Sequence, residues 1–125
     1  MERQSSRILV VDDEDAIRRT LDLLLQKRGY AVVTAASGEA AVAAIEQQRF
    51  DLLLLDLMMP GMSGIEVARR ARTLQPTAKV LLLTGSSPLE GAAGTEDLAQ
   101  FDYLLKTASP QEVLQRLAAL LTARA

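Results

Sequence analysis

Hydrophobic positions fall into two patterns that take turns along the chain. Ile8-Leu9-Val10-Val11, Leu52-Leu53-Leu54-Leu55 and Val80-Leu81-Leu82-Leu83 are unbroken apolar runs, the signature of strands buried on both faces. Ala31-Val32-Val33 and Tyr103-Leu104-Leu105 are shorter runs of the same kind. Between the first two, Ile17, Leu21, Leu24 and Leu25 recur at helical spacing, and Lys27-Arg28-Gly29 supplies last-turn cations followed by a terminating glycine. Ser63-Gly64-Ile65-Glu66, Ser87-Pro88-Leu89-Glu90 and Ser109-Pro110-Gln111-Glu112 each read as a capping box at a helix start, two of them with proline at the first helical position. Ser37-Gly38 opens a further helix through Ala40, Ala41, Ala44 and Ile45, and Val113, Leu117, Leu120 and Leu121 mark one face of the last.

Five strand-helix units result, with strands predicted at about 7–12, 31–35, 51–56, 79–84 and 102–106. Strict alternation of this kind predicts an α/β fold with a parallel sheet and helices on both faces. The fourth helix carries Gly91 and Gly94, each costing about 1 kcal/mol relative to alanine, so that helix is expected to be short, broken or mobile. No repeat, low-complexity tract or linker interrupts the pattern.

The composition narrows the chemistry. At 125 residues the chain is expected to be one domain, residues 1–125 with a core of about 7–121. It is 49% hydrophobic, 24% charged and only 3% aromatic, which gives an aliphatic core and no stacking platform for bases. Fourteen basic and sixteen acidic residues leave a net charge of -2, so no overall field draws it to nucleic acid or anionic lipid. Without cysteine or histidine there are no disulfides, no thiolate or imidazole metal ligands, and no usual neutral-pH base. The N-terminal residues are polar and no apolar run is long enough to span a bilayer, so neither a signal peptide nor a membrane segment is expected, and a cytoplasmic location is the default.

What remains is carboxylate, hydroxyl and ammonium chemistry, and the strand ends concentrate it. Strand one ends in Asp12-Asp13, strand three in Asp56, strand four in Thr84 and strand five in Lys106. Ligands of open parallel sheets bind beyond the carboxyl ends of the strands, where strand order reverses. If the order is 2-1-3-4-5, strands one and three are neighbours and three carboxylates converge. A lone aspartate at a strand end is adequately explained as a cap or turn residue. Three together repel, so either one stays protonated or a cation joins them, and a hard divalent ion with oxygen ligands such as Mg²⁺ fits. An aspartate beside Mg²⁺ and a lysine serves either as a ligand or as a nucleophile that forms an acyl phosphate. In the second case Mg²⁺, the Lys106 ammonium and the Thr84 hydroxyl would each neutralise one phosphoryl oxygen. Gly85 is either a turn residue or room for a phosphate to approach the backbone, and Pro60-Gly61 fits a type II turn.

Val10-Val11-Asp12-Asp13-Glu14, Leu55-Asp56-Leu57-Met58-Met59-Pro60-Gly61-Met62-Ser63-Gly64, Thr84-Gly85 and Asp102-Tyr103-Leu104-Leu105-Lys106 together resemble the receiver domain of two-component response regulators, from about Arg7 to about Leu121. The resemblance implies a flavodoxin-like, doubly wound sheet of order 2-1-3-4-5. It makes Asp56 the phosphoacceptor, Asp13 the direct Mg²⁺ ligand, Asp12 an acidic neighbour acting largely through water, and the Met58 carbonyl a further ligand. Thr84 and Lys106 would contact the phosphoryl group, and Tyr103 matches an aromatic position whose rotamer is coupled to the threonine, although a half-buried amphipathic tyrosine is the simpler alternative. A sensor histidine kinase or phosphotransfer protein would be the donor, with a downstream protein as target, no direct nucleic-acid or membrane binding, and dimerisation through the last helix left open. Self-phosphorylation from a small phosphodonor and autodephosphorylation would be its only enzymatic activities.

The family usually has proline after the lysine, often in a cis bond; here the chain reads Lys106-Thr107. A cis bond before a non-proline residue costs roughly 2.5–4 kcal/mol, so a trans bond and a displaced loop are expected. Two other readings fit parts of the sequence. A binding module that has lost regulated phosphorylation is motivated by Thr107 and the glycines at 91 and 94. An aspartyl-phosphate phosphatase or mutase would need a second acid two residues after the nucleophile, where Met58 stands. Neither G-x-x-x-x-G-K-[ST] nor G-x-G-x-x-G occurs, which argues against a nucleotide-binding enzyme.

Overall fold

The structure, a computed structural model, describes residues 6–85 and 101–122. Five parallel strands, β1 (Arg7–Val11), β2 (Ala31–Ala35), β3 (Leu52–Asp56), β4 (Lys79–Thr84) and β5 (Asp102–Leu105), pair in the order β2-β1-β3-β4-β5. Four helices accompany them: α1 (Asp15–Lys27), α2 (Gly38–Gln47), α3 (Gly64–Leu74) and α4 (Pro110–Thr122). The strand, helix and topology expectations hold, with edges moved by one residue at most: Asp12 and Lys106 lie just past their strands. The Gly-rich helix predicted from the Ser87 capping box lies outside the described residues.

Strand parity divides the core in two. Leu9, Val11, Leu53, Leu55 and Leu82 pack beneath α2 and α3 with Ile45, Val67 and Ala71. Their neighbours Ile8, Val10, Leu52, Leu54, Leu81 and Leu83 pack on the opposite face beneath α1 and α4 with Leu21, Leu25 and Leu117. Both faces of β1 and β3 are therefore apolar, which is why those strands read as continuous hydrophobic runs rather than alternating ones. Each leucine so buried stabilises the fold by about 1.5–3 kcal/mol, enough to override leucine's preference for helix.

The caps work as the spacing predicts. Ser37 Oγ accepts from the Ala40 N–H at 3.1 Å, and Ser63 Oγ from Glu66 at 3.4 Å. At α4 the box is reciprocal: Glu112 N–H donates to Ser109 Oγ at 3.1 Å and Ser109 N–H to Glu112 Oε1 at 2.9 Å. Gly29 ends α1 with φ +93°, and Gly61 takes φ +77° in the turn after β3. At the amino edge of the sheet, buried Gln75 ends α3 with its amide locked: Oε1 accepts from Phe50 N–H at 2.8 Å, and Nε2 donates to the carbonyls of Ile45 at 2.8 Å and Gln48 at 2.7 Å.

Candidate functional site

Parallel pairing sets the carboxyl ends of β1, β3, β4 and β5 side by side, with Val11 opposite Leu55, Asp56 opposite Leu83, and Thr84 opposite Leu105. The chain leaves β1 at Asp12, which is 1% exposed and held to the β2 edge by its N–H on the Ala35 carbonyl at 3.2 Å. Asp12 Oδ1 accepts from the Glu14 N–H at 2.9 Å, which turns the chain toward α1. Arg18, one turn into α1, donates to the Asp12 carbonyl at 2.7 Å and pairs with Asp15. Asp13 is exposed at the mouth.

Asp56 closes β3, 1% exposed, with Oδ1 accepting from the Met58 N–H at 3.2 Å. The backbone beyond it is pinned twice: Leu57 N–H donates to the Leu83 carbonyl at 2.8 Å, and Gly64 N–H to the Leu57 carbonyl at 3.0 Å. A Cβ at position 64 would lie 2.2 Å from the Asp56 carbonyl oxygen, so α3 begins against Asp56 only because that residue is glycine. The Met58 side chain is 72% exposed at the rim.

Lys106 follows β5, its N–H on the Thr84 carbonyl at 2.7 Å. Its ammonium reaches back over the site, 3.1 Å from Asp56 Oδ2, 3.6 Å from Asp12 Oδ2 and 3.3 Å from Glu14 Oε1. Lys106 borders an apolar cleft of about 310 Å³ between α1 and α4, walled by Ile17, Leu21, Leu83, Leu105 and Val113. Thr84 is buried at the end of β4 beside this group. Tyr103, half-buried in β5 opposite Leu82, packs with the α2/α3 face of the core. No cis peptide bond occurs among the described residues, so the Lys106–Thr107 bond is trans as expected. Gly85 does not take a positive φ, and among the described residues a Cβ there would meet nothing within 4 Å.

The predicted acidic residues converge. Oxygens of Asp12, Asp13 and Asp56 lie within 4.8 Å of one another. Three carboxylates, those of Asp12, Glu14 and Asp56, share the one ammonium, with Asp13 close by, and the excess negative charge is felt. Burial pushes the Asp56 carboxyl up from 3.8 to about 6, and the charge of Asp12 adds to the push, while Lys106 and the Met58 N–H restrain it. Burial by itself would lower the Lys106 ammonium, but Asp56, Asp12 and Glu14 outweigh it and its pKa rises. Asp12 Oδ2 and Asp56 Oδ2 are buried with no hydrogen-bond partner among the described residues, and the Lys106 ammonium faces both as a charge. Two orphaned anionic oxygens beside an exposed third carboxylate suit a hard divalent cation such as Mg²⁺.

A doubly wound sheet with an acidic cluster and a lysine at its switch point defines a recognisable class of phosphoryl-handling modules. The sequence model described as the response regulator receiver domain matches residues 8–118, and the chain belongs to that family. It is 42% identical over 116 residues to the transcriptional regulatory protein ResD of Bacillus subtilis, covering 93% of this chain and 48% of that protein. To the alginate biosynthesis regulator AlgB of Pseudomonas aeruginosa it is 39% identical, over 93% of this chain and 25% of that one. The chain thus spans half or less of the length of these relatives. A CheY-like receiver from Methanospirillum hungatei superposes with TM-score 0.84 at 30% identity, covering 94% of each chain. The response regulator TrrA of Thermotoga maritima, solved with Mg²⁺ and beryllofluoride, does so with TM-score 0.81 at 37% identity, covering 92% of this chain and 98% of that one.

Sequence reasoning singled out Asp12, Asp13, Asp56, Met58, Thr84, Tyr103 and Lys106, but gave no role to Glu14, Arg18 or Gly64. Arg18 had no motif to mark it, since its partner is a backbone carbonyl. Gly64 was visible as the second residue of a capping box, yet only the packing of α3 on Asp56 shows what it is for. Glu14 stood inside the acidic motif with no role of its own.

Proposed function

We propose that the chain is a single receiver unit, residues 1–125, that accepts a phosphoryl group on Asp56 and thereby changes a protein-binding surface. The observation that carries this is the pair of buried carboxylate oxygens at Asp12 and Asp56 that take no hydrogen bond among the described residues and share one ammonium at the sheet's switch point. With its carboxyl near 6, Asp56 is mostly anionic at pH 7 and available as a nucleophile. Its oxygen forms the new P–O bond as the P–N bond of a donor phosphohistidine breaks, and the departing imidazole takes a proton. Asp12, Asp13, Asp56 and the Met58 carbonyl would hold Mg²⁺, which when bound offsets charge on a phosphoryl oxygen. The Lys106 ammonium offsets a second, and the Thr84 hydroxyl donates to a third. Tyr103, on the strand beside Thr84, is the side chain whose position follows the phosphorylation state.

The donor chemistry is that of a sensor histidine kinase or phosphotransfer protein, and the setting is the cytoplasm. Among the described residues no helix is long and apolar enough to cross a membrane. ResD and AlgB are transcriptional regulators; for this chain we propose only that the target is a protein surface, within the same polypeptide or outside it. Incubation with acetyl phosphate and Mg²⁺ tests the reading: a labile adduct of about 80 Da on Asp56, absent from Asp56→Asn, is expected. A wild-type protein that never acquires the adduct, from acetyl phosphate or from a phosphohistidine donor, contradicts it.

A further inference from the structure

Lys106 has three N–H donors, and two of its three carboxylate neighbours belong to the acidic cluster itself. The third is Glu14, at 3.3 Å and 60% exposed. Glu14 occupies the N-cap position of α1, where serine, threonine, aspartate and asparagine are the favoured residues. Its side chain makes no cap hydrogen bond; it turns away from the helix and lies against the lysine. Its backbone is nevertheless fixed, since its N–H is tied to Asp12 Oδ1 at 2.9 Å and its carbonyl accepts from Arg18 N–H at 3.1 Å. The helix start therefore presents an exposed carboxylate to Lys106 from a fixed backbone.

We infer that Glu14 is a positioning residue for phosphoryl capture: it occupies the outer donor of the Lys106 ammonium and holds that ammonium over Asp56. This rests on the receiver reading above. When phosphate is esterified to Asp56, the oxygens of Asp12 and Asp56 change partners, whereas Glu14 stays outside the exchange. Among the described residues it is the one ion pair of Lys106 that lies outside that exchange. A flexible four-carbon stem tethered at its tip loses less freedom on meeting the phosphoryl group than a free one.

Two substitutions separate tether from charge. Glu14→Gln and Glu14→Ala both remove the negative charge at the mouth, but only alanine removes the acceptor; neither removes a helix cap. In the presence of Mg²⁺, Glu14→Ala should bind beryllofluoride about threefold more weakly than Glu14→Gln, the size expected of one exposed pair. In a Lys106→Ala background the two should bind alike. In the metal-free protein, the ¹⁵N-ammonium NMR signal of Lys106 should be slowed in solvent exchange in wild type and Glu14→Gln, and lost to fast exchange in Glu14→Ala. Equal beryllofluoride affinity for the two variants with Lys106 present, or an unchanged ammonium signal in Glu14→Ala, overturns the inference while leaving the phosphoacceptor reading intact. Wild-type protein that fails to bind beryllofluoride overturns both.

Discussion

The two edges of the sheet bury polar side chains in opposite ways. At the amino edge Gln75 is 9% exposed and its amide oxygen and both amide hydrogens are matched at 2.7–2.8 Å to groups that would otherwise be stranded in the core. At the carboxyl edge Asp12 and Asp56 are more deeply buried, like-charged, and each keeps an oxygen with no hydrogen bond among the described residues. A fold selected only for stability would treat both edges like the first, because an unsatisfied buried anion costs more than an unsatisfied amide. The difference marks the carboxyl edge as the place where stability is given up for a ligand.

Breaking the satisfied edge should give one of the larger stability effects. Gln75→Ala strands the Phe50 N–H and two carbonyls, and is expected to destabilise the protein by about 2–4 kcal/mol in urea unfolding, with no change in Mg²⁺ affinity. Gly64→Ala should cost a similar amount, about 2–4 kcal/mol, because its Cβ meets the Asp56 backbone rather than a flexible side chain. Unlike Gln75→Ala it should also weaken Mg²⁺ binding, since Asp56 must move; equal affinities in the two variants would remove the distinction between the edges.

The unsatisfied edge should behave the other way. A carboxyl whose folded pKa is raised binds its proton more tightly when folded, so its contribution favours folding below 3.8 and turns against it as pH rises toward 6. Without divalent cations, Asp56→Asn should therefore be more stable than wild type at pH 7, by on the order of 2 kcal/mol, and the gap should close below about pH 4. A variant less stable than wild type at pH 7 would show the carboxylate to be well compensated after all. The smallest effect belongs to Arg18→Ala, which frees the Asp12 carbonyl: about 1 kcal/mol in stability and a few-fold loss of Mg²⁺ affinity, read by calorimetric titration.

The same contrast explains what could be read from the chain beforehand. Continuous runs such as Leu52–Leu55 are legible because burial on both faces imposes one simple pattern, and the S-x-x-E boxes because a cap is a local exchange of hydrogen bonds. Asp12, Asp13, Asp56, Thr84 and Lys106 were legible because each sits at a strand end, and topology carries strand ends to one place. Gln75, Arg18 and Gly64 were not, because their partners are backbone atoms 25 to 30, six, and eight residues away, and a backbone atom leaves no residue type to match. Glu14 was illegible for a different reason: helix-start spacing assigns it to α1, and only the path of Lys106 from the far edge strand assigns it to the site.

Thermal unfolding with increasing Mg²⁺ tests the central claim, that the orphaned carboxylates form a cation site, most directly. At a hundredfold excess over its dissociation constant the ion should stabilise wild-type protein by about 2.7 kcal/mol, and Asp13→Ala should abolish the dependence while still folding. A wild-type melting temperature indifferent to Mg²⁺, or a dependence that survives in Asp13→Ala, would contradict it.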